Sequence, residues 1–117
     1  MKIIFSILIV FISLAIVRAQ EKPKPYLFFE CEKISSNLLK EKVDEFYKKL
    51  KNDKDSQGYI INYGTAKKIA KREMQIRDSM NFRADDAPRI TFVKGGNKNK
   101  LKSVFWIVPA GAEPPTT

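Results

Sequence analysis

Residues 58 to 80 read GYIINYGTAKKIAKREMQIRDSM, and the change of period inside this stretch decides the architecture. Gly58 to Gly64 is a glycine-bounded run of β-branched and aromatic residues, which predicts a strand. Thr65 then has the side chain of a helix N-cap. At 100° per residue over 66 to 81, Ile69, Ile76 and Met80 fall within about 40° of one another, with Ala66 near that stripe and Ala70 and Met74 expected to widen it. Arg72 sits on the flank of the arc, about 60° from Ile69, and Glu73 falls inside it, where Arg77 at i,i+4 is its expected partner. Lys67, Lys68 and Lys71 are expected to face away. A strand running directly into a helix of this kind is half of an α/β unit.

The same signals extend in both directions. Upstream, Tyr26 to Cys31 (YLFFEC) reads as a strand partly covered on both faces, and Ser36 to Leu50 as a helix with Leu39, Val43, Phe46 and Leu50 on one stripe. Asp44 with Lys48 and Glu45 with Lys49 are its expected i,i+4 ion pairs. Downstream, 81 to 88 is a polar connection and Arg89 to Lys94 a strand. Gly95 to Lys100 looks like a turn or short hairpin loop. Ser103 to Val108 (SVFWIV) lacks alternation, as an interior strand does. The expected fold is therefore a two-layer α/β sandwich, β-α-β-α-β-β, with a mixed four-stranded sheet and both helices on one face. The other face is then left to large side chains, for which Tyr26, Phe28 and Trp106 are candidates.

Residues 1 to 19 stand apart. Lys2, the apolar-rich run Ile3 to Val17 and the small-x-small triplet Val17-Arg18-Ala19 read as a signal peptide, cleaved before Gln20. Fifteen residues span only about 22 Å as a helix, too short for a stable membrane span. The remaining 98 residues allow one small domain, organised as a polar lead-in at 20 to 25, a domain at 26 to 109 and a Pro-rich flexible tail at 110 to 117. They carry 20 basic against 13 acidic side chains, a net charge of +7. There is no histidine and one cysteine, Cys31, so disulfide scaffolds, Cys/His zinc sites and histidine-based triads are excluded. The thiol is expected to be buried and inert, with intermolecular pairing as the alternative.

Gly58 to Gly64, the helix of Arg72, Ala87-Pro88-Arg89-Ile90 and the final FWIV strand resemble the C-terminal domain of OmpA-like proteins, which bind peptidoglycan. The resemblance spans roughly residues 26 to 109. GYIINYG and FWIVPAGAEPP are more similar still to segments of a small group of uncharacterised secreted bacterial proteins. The OmpA-like resemblance implies a peptide-stem ligand whose carboxylate is gripped by Arg72. Asn62 and Tyr63 end the second strand, where open α/β sheets place ligands, and with Thr65 and Lys68 they complete the expected site; strand-end packing is the alternative role for Tyr63. The aspartate that the family uses for the ligand ammonium has no match, because this chain reads Asn62-Tyr63-Gly64-Thr65-Ala66 there. Binding is then expected to be weaker or differently built.

These readings converge on a periplasmic or secreted binding domain without cofactor or metal. Its expected partner is a peptidoglycan stem peptide or another anionic envelope polymer. The alternative is a secreted interaction or structural domain, held by another envelope protein, that has lost the peptidoglycan site. The lysines (67, 68 and 71 on the helix, 94, 98, 100 and 102 near the last strand) favour anionic partners. Export, with no phosphate loop, RNP-type strand or helix-turn-helix spacing, argues against nucleic acid. The acidic pairs Asp53/Asp55 and Asp85/Asp86 lie in loops, where nothing holds two carboxylates across a cleft, so no enzymatic activity is expected. If the leader is read correctly, mass spectrometry of the protein expressed in a Gram-negative host gives a chain starting at Gln20 outside the cytoplasm; an intact Met1 form in the cytosol would refute it.

Overall fold

The computed structural model describes residues 22–80, 89–96 and 99–117. The leader, the 81 to 88 connection with Asp85 and Asp86, and Lys98 lie outside them. The elements run β1 (Tyr26–Cys31), α1 (Ser36–Asn52), β2 (Gln57–Tyr63), α2 (Ala66–Met80), β3 (Ile90–Gly96) and β4 (Lys102–Val108). This is the expected β-α-β-α-β-β order, and the strands form one mixed sheet in the order β1-β4-β2-β3. β4 is antiparallel to both β1 and β2, and β2 is parallel to β3.

That order corrects one expectation. β3 and β4 are not neighbours, so no hairpin joins them; Leu101, just before β4, crosses the end of β2. Gly64 makes the crossing possible, with φ +141° and the Leu101 Cα only 3.3 Å from where a Cβ would stand. Its N–H donates to Gly96 O at 3.1 Å, which fastens the end of β3 beneath the crossing.

On the helix-covered face the register stacks the side chains in rows. Tyr26, Ile107, Gly58 and Ile90 form one row, Phe29, Phe105, Ile60 and Phe92 the next, and Cys31, Ser103, Asn62 and Lys94 the last. Two rows are mainly apolar and the third is polar. α1 lies over the apolar rows with Leu39, Val43, Phe46, Tyr47 and Leu50, each at most 3% exposed. Gly58 lets it approach, since a Cβ there would come within 2.8 Å of both Phe46 and Leu50 side chains. Phe46 meets Phe105 edge-on at 5.1 Å between centroids. α2 adds Ile76 and Met80 to the same core. Ser35 and Thr65 cap the two helices, accepting from the Leu38 and Lys68 amides. Arg89 donates to Asp53 O and Ser56 O and so locks the α1–β2 turn.

Several local expectations need correction. β1 is an edge strand with Tyr26, Leu27 and Glu30 exposed, not one covered on both faces. A bulge between Leu27 and Phe29 turns Phe28 to the helices, where it packs 5.4 Å from Phe46, so it is not part of the open face. Met74 is 63% exposed and Ala70 is exposed too. Met74 lies about 140° from Ile69 on the helical wheel, outside the buried arc. Asp44 does pair with Lys48 at 3.4 Å, but Glu45 takes Lys42 at 3.3 Å instead of Lys49. Glu73 pairs with Arg77 at 3.4 Å as expected.

The open face carries Trp106, paired in register with Leu27 on one side and Tyr59 on the other. The polar lead-in and the Pro-rich tail, the latter expected from sequence to be flexible, come together beside this tryptophan. Pro23, Pro25, Pro114 and Pro115 line a cavity of about 500 Å³ with it.

Phe46→Ala is expected to destabilise the domain by about 3 to 5 kcal/mol, against less than about 0.5 kcal/mol for Lys48→Ala. Urea titration decides it, and equal midpoints for the two variants would contradict the assigned core.

Candidate functional site

Arg72 lies in the buried stripe of α2 with Ile69, Ile76 and Met80, and is only 5% exposed. A charge in that position needs acceptors, because burying an unsatisfied polar group is costly. The polar row of the sheet supplies them. Arg72 Nη1 donates to Ser103 Oγ at 2.9 Å and lies 3.5 Å from Cys31 Sγ, while Nη2 donates to the Glu32 carbonyl at 2.8 Å. Ser103 Oγ in turn donates to Asn62 Oδ1 at 2.6 Å, so the chain Asn62–Ser103–Arg72–Glu32 joins β2, β4, α2 and the end of β1. All the Arg72 acceptors are neutral, and no carboxylate pairs with it among the described residues. Arg72 Nε and Asn62 Nδ2 are buried and find no acceptor there either.

Guanidinium has five N–H donors. Two on Nη1 and one on Nη2 are directed at the fold, and the Nε–H is buried, which leaves one N–H of Nη2 for a ligand. The flat two-pronged grip on a carboxylate that the resemblance implies is thus largely spent on Ser103 and Glu32.

Beside Arg72 the surface opens into a cavity of about 570 Å³ beyond the carboxyl end of β1 and beside the first turns of α2. Parallel α/β sheets commonly place ligands at such ends. Lys68 and Lys71 line it from α2, Lys33 from the β1–α1 connection, and Lys100 from the crossing loop. With Arg72 that makes five cations and one carboxylate, Glu32, among the described residues that line the cavity; Glu32 is 3.8 Å from Lys100. Ile34 and Leu101 give the cavity an apolar wall, and Gln75 and Asn99 add neutral polar groups.

Of the residues singled out from sequence, Arg72 and Lys68 line this cavity and Asn62 joins Arg72 through Ser103. Thr65 caps α2 just before it. Tyr63 belongs to the other sheet face, with its ring against Gly95. Lys102 pairs with Glu30 at 3.4 Å. Sequence reasoning missed Ser103, Glu32, Lys33 and the cavity role of Lys71. The available signal was a small polar residue two places from an apolar one in each central strand, Asn62 after Ile60 and Ser103 before Phe105, which alternation puts on the helix face. No protein-family model, curated protein sequence or solved structure matches this chain.

Cys31 is half-buried. That burial pushes its thiol above the ordinary range, and the Arg72 cation and the hydrogen bonds from Arg72 and Ser103 pull the other way without cancelling it. The folded chain therefore holds this proton more tightly than the unfolded chain. The resulting stabilisation is present below the ordinary thiol pKa of about 8.5 and is lost as pH rises through the higher folded value. The denaturation midpoint should fall above that pH, and by less in Cys31→Ala; identical pH profiles would contradict the assignment. Ser103→Ala, which strands Arg72 Nη1 and Asn62 Oδ1 together, should cost about 1 to 3 kcal/mol in urea titration. A loss below 0.5 kcal/mol, taken as roughly the scale of an ordinary surface substitution, would show the chain of bonds to be dispensable.

Proposed function

We propose that this chain is an exported binding domain. It associates non-covalently with an anionic component of the cell envelope through the basic cavity beside Arg72, peptidoglycan being the component that the resemblance implies. The observation that carries this reading is the charge of the cavity: five cations from α2, the β1–α1 connection and the crossing loop line it, with one carboxylate among the described residues. Like charges that line one cavity repel, and an anionic ligand relieves that repulsion. The leader and the overall net charge support an envelope location. Arg72 acts here as a positioning residue. Its hold on the Glu32 carbonyl sets the cavity rim, and its charge raises the potential behind the lysines.

A second reading, a secreted interaction or structural domain without an anion site, is favoured by one observation: the Arg72 donors end on the fold itself. Co-sedimentation with purified cell-wall sacculi separates the two. The proposal expects saturable binding at physiological salt that weakens as ionic strength rises, and a loss of about tenfold in affinity in Lys68→Gln/Lys71→Gln, two exposed positions whose change leaves the core intact. If parent and double variant both stay in the supernatant with every envelope fraction, the interaction-domain reading stands instead.

A further inference from the structure

We infer that the group taken by the basic cavity is a phosphate carried on a larger body, rather than the planar carboxylate of a zwitterionic peptide. This rests on the anion-binding reading above and narrows it to one ligand chemistry.

Three features of the site point this way. The first is the kind of cation on offer. A carboxylate is best held in one plane by a guanidinium fork, and on Arg72 the Nη1/Nη2 fork is occupied by Ser103 Oγ and the Glu32 carbonyl while Nε is buried away from the surface. What remains exposed to a ligand is ammonium groups, which act as point charges without a preferred plane. Lys68 and Lys71 come from α2, Lys33 from the β1–α1 connection and Lys100 from the crossing loop, so the charges line the cavity from three parts of the chain. That distribution matches oxygens disposed around a tetrahedral centre better than two oxygens in one plane.

The second is the balance of charge. A peptide zwitterion needs a carboxylate for its ammonium, and among the described residues Glu32 is the one carboxylate lining the cavity, already shared with Lys100 at 3.8 Å. Five cations against that single charge suit a group that carries negative charge alone. The third is size. A cavity of about 570 Å³ is in the range of sites for whole small molecules, so an isolated anion leaves most of it unfilled. Ile34 and Leu101 can pack against the carbon skeleton that bears the phosphate, as in a polyol-phosphate repeat or a lipid headgroup.

Glu32 makes the inference testable by sign. If the ligand is a phosphate, Glu32→Gln removes a repulsion and strengthens binding; if it is a zwitterionic peptide, the same change removes the ammonium partner and weakens binding. The experiment is a titration of the full mature chain, followed by amide chemical shifts, with glycerol 3-phosphate, acetate and a soluble diaminopimelate-containing stem peptide. Glycerol 3-phosphate is expected to saturate and to shift the Lys68, Lys71 and Lys100 signals. It should bind about tenfold more weakly to Lys68→Gln/Lys71→Gln and about two- to threefold more tightly to Glu32→Gln. Acetate should not saturate over the same range. Saturation by the stem peptide, weakened in Glu32→Gln, with none by glycerol 3-phosphate, would overturn the phosphate assignment while leaving the envelope-binding reading in place. No saturation by any probe, together with failure to co-sediment with envelope fractions, would overturn both. Once glycerol 3-phosphate has saturated, vesicles containing phosphatidylglycerol identify the carrier. Retention on them, reversed by glycerol 3-phosphate, assigns a lipid headgroup, and no retention assigns a polymer; either result keeps the phosphate.

Discussion

A guanidinium buried without a carboxylate constrains this domain more than any other single group. Arg72 occupies a core position of α2, and the helix can dock only if the sheet beneath offers neutral acceptors at that point. Ser103, Asn62, Cys31 and the Glu32 carbonyl therefore have to arrive together, from three strands or strand ends, in one register. A slip of one residue in β4 would replace Ser103 by a neighbour facing the other side and leave the cation unsolvated. Hydrophobic burial supplies the bulk of the stabilisation here, through Phe46, Phe105, Ile60 and Ile107, but such contacts tolerate repacking. The polar chain does not, because the cost of stranding a buried charge exceeds the gain from making an ordinary hydrogen bond.

The row structure of the sheet explains why the cavity lies where it does. Moving along the strands towards the carboxyl end of β1, the helix-facing side chains pass from Ile107 and Ile90 through Phe105 and Ile60 to Ser103 and Asn62. The apolar rows are sealed by α1. The polar row reaches the point where β1 gives way to the turn before α1, and there the cover thins. Lysines from three parts of the chain border that opening, and the buried arginine stands behind them. Core, polar chain and cavity form one gradient of polarity along the strand direction.

Much of this fold was legible in the sequence because periodicity reports which residues share a face. The Leu39, Val43, Phe46 and Leu50 stripe, the interior position of β4 and the element order all follow from it. Register does not, since it depends on pairing between segments far apart in the chain. The bulge that turns both Phe28 and Phe29 to the helices was invisible for that reason. A hairpin is expected between β3 and β4 because Gly95-Gly96-Asn97 has the composition of one, while its two glycines close the bulged end of β3 against Tyr63. The sequence marked Arg72 as unusual. What it did not show is that the guanidinium points inward to Ser103 and the Glu32 carbonyl, because a basic residue on the flank of an apolar arc is ordinarily a solvated one.

The position of β4 also governs when this molecule can take shape during synthesis. It lies between β1 and β2, yet it is the last of the six elements to be made. Before Val108 has left the ribosome, β1 has no neighbour to pair with, and Phe105 and Ile107 are missing from under α1. Local helix formation can begin early, but closing the sheet awaits a contact between distant parts of the chain. The complete sheet is therefore a late product of synthesis, formed only once nearly the whole chain has been made.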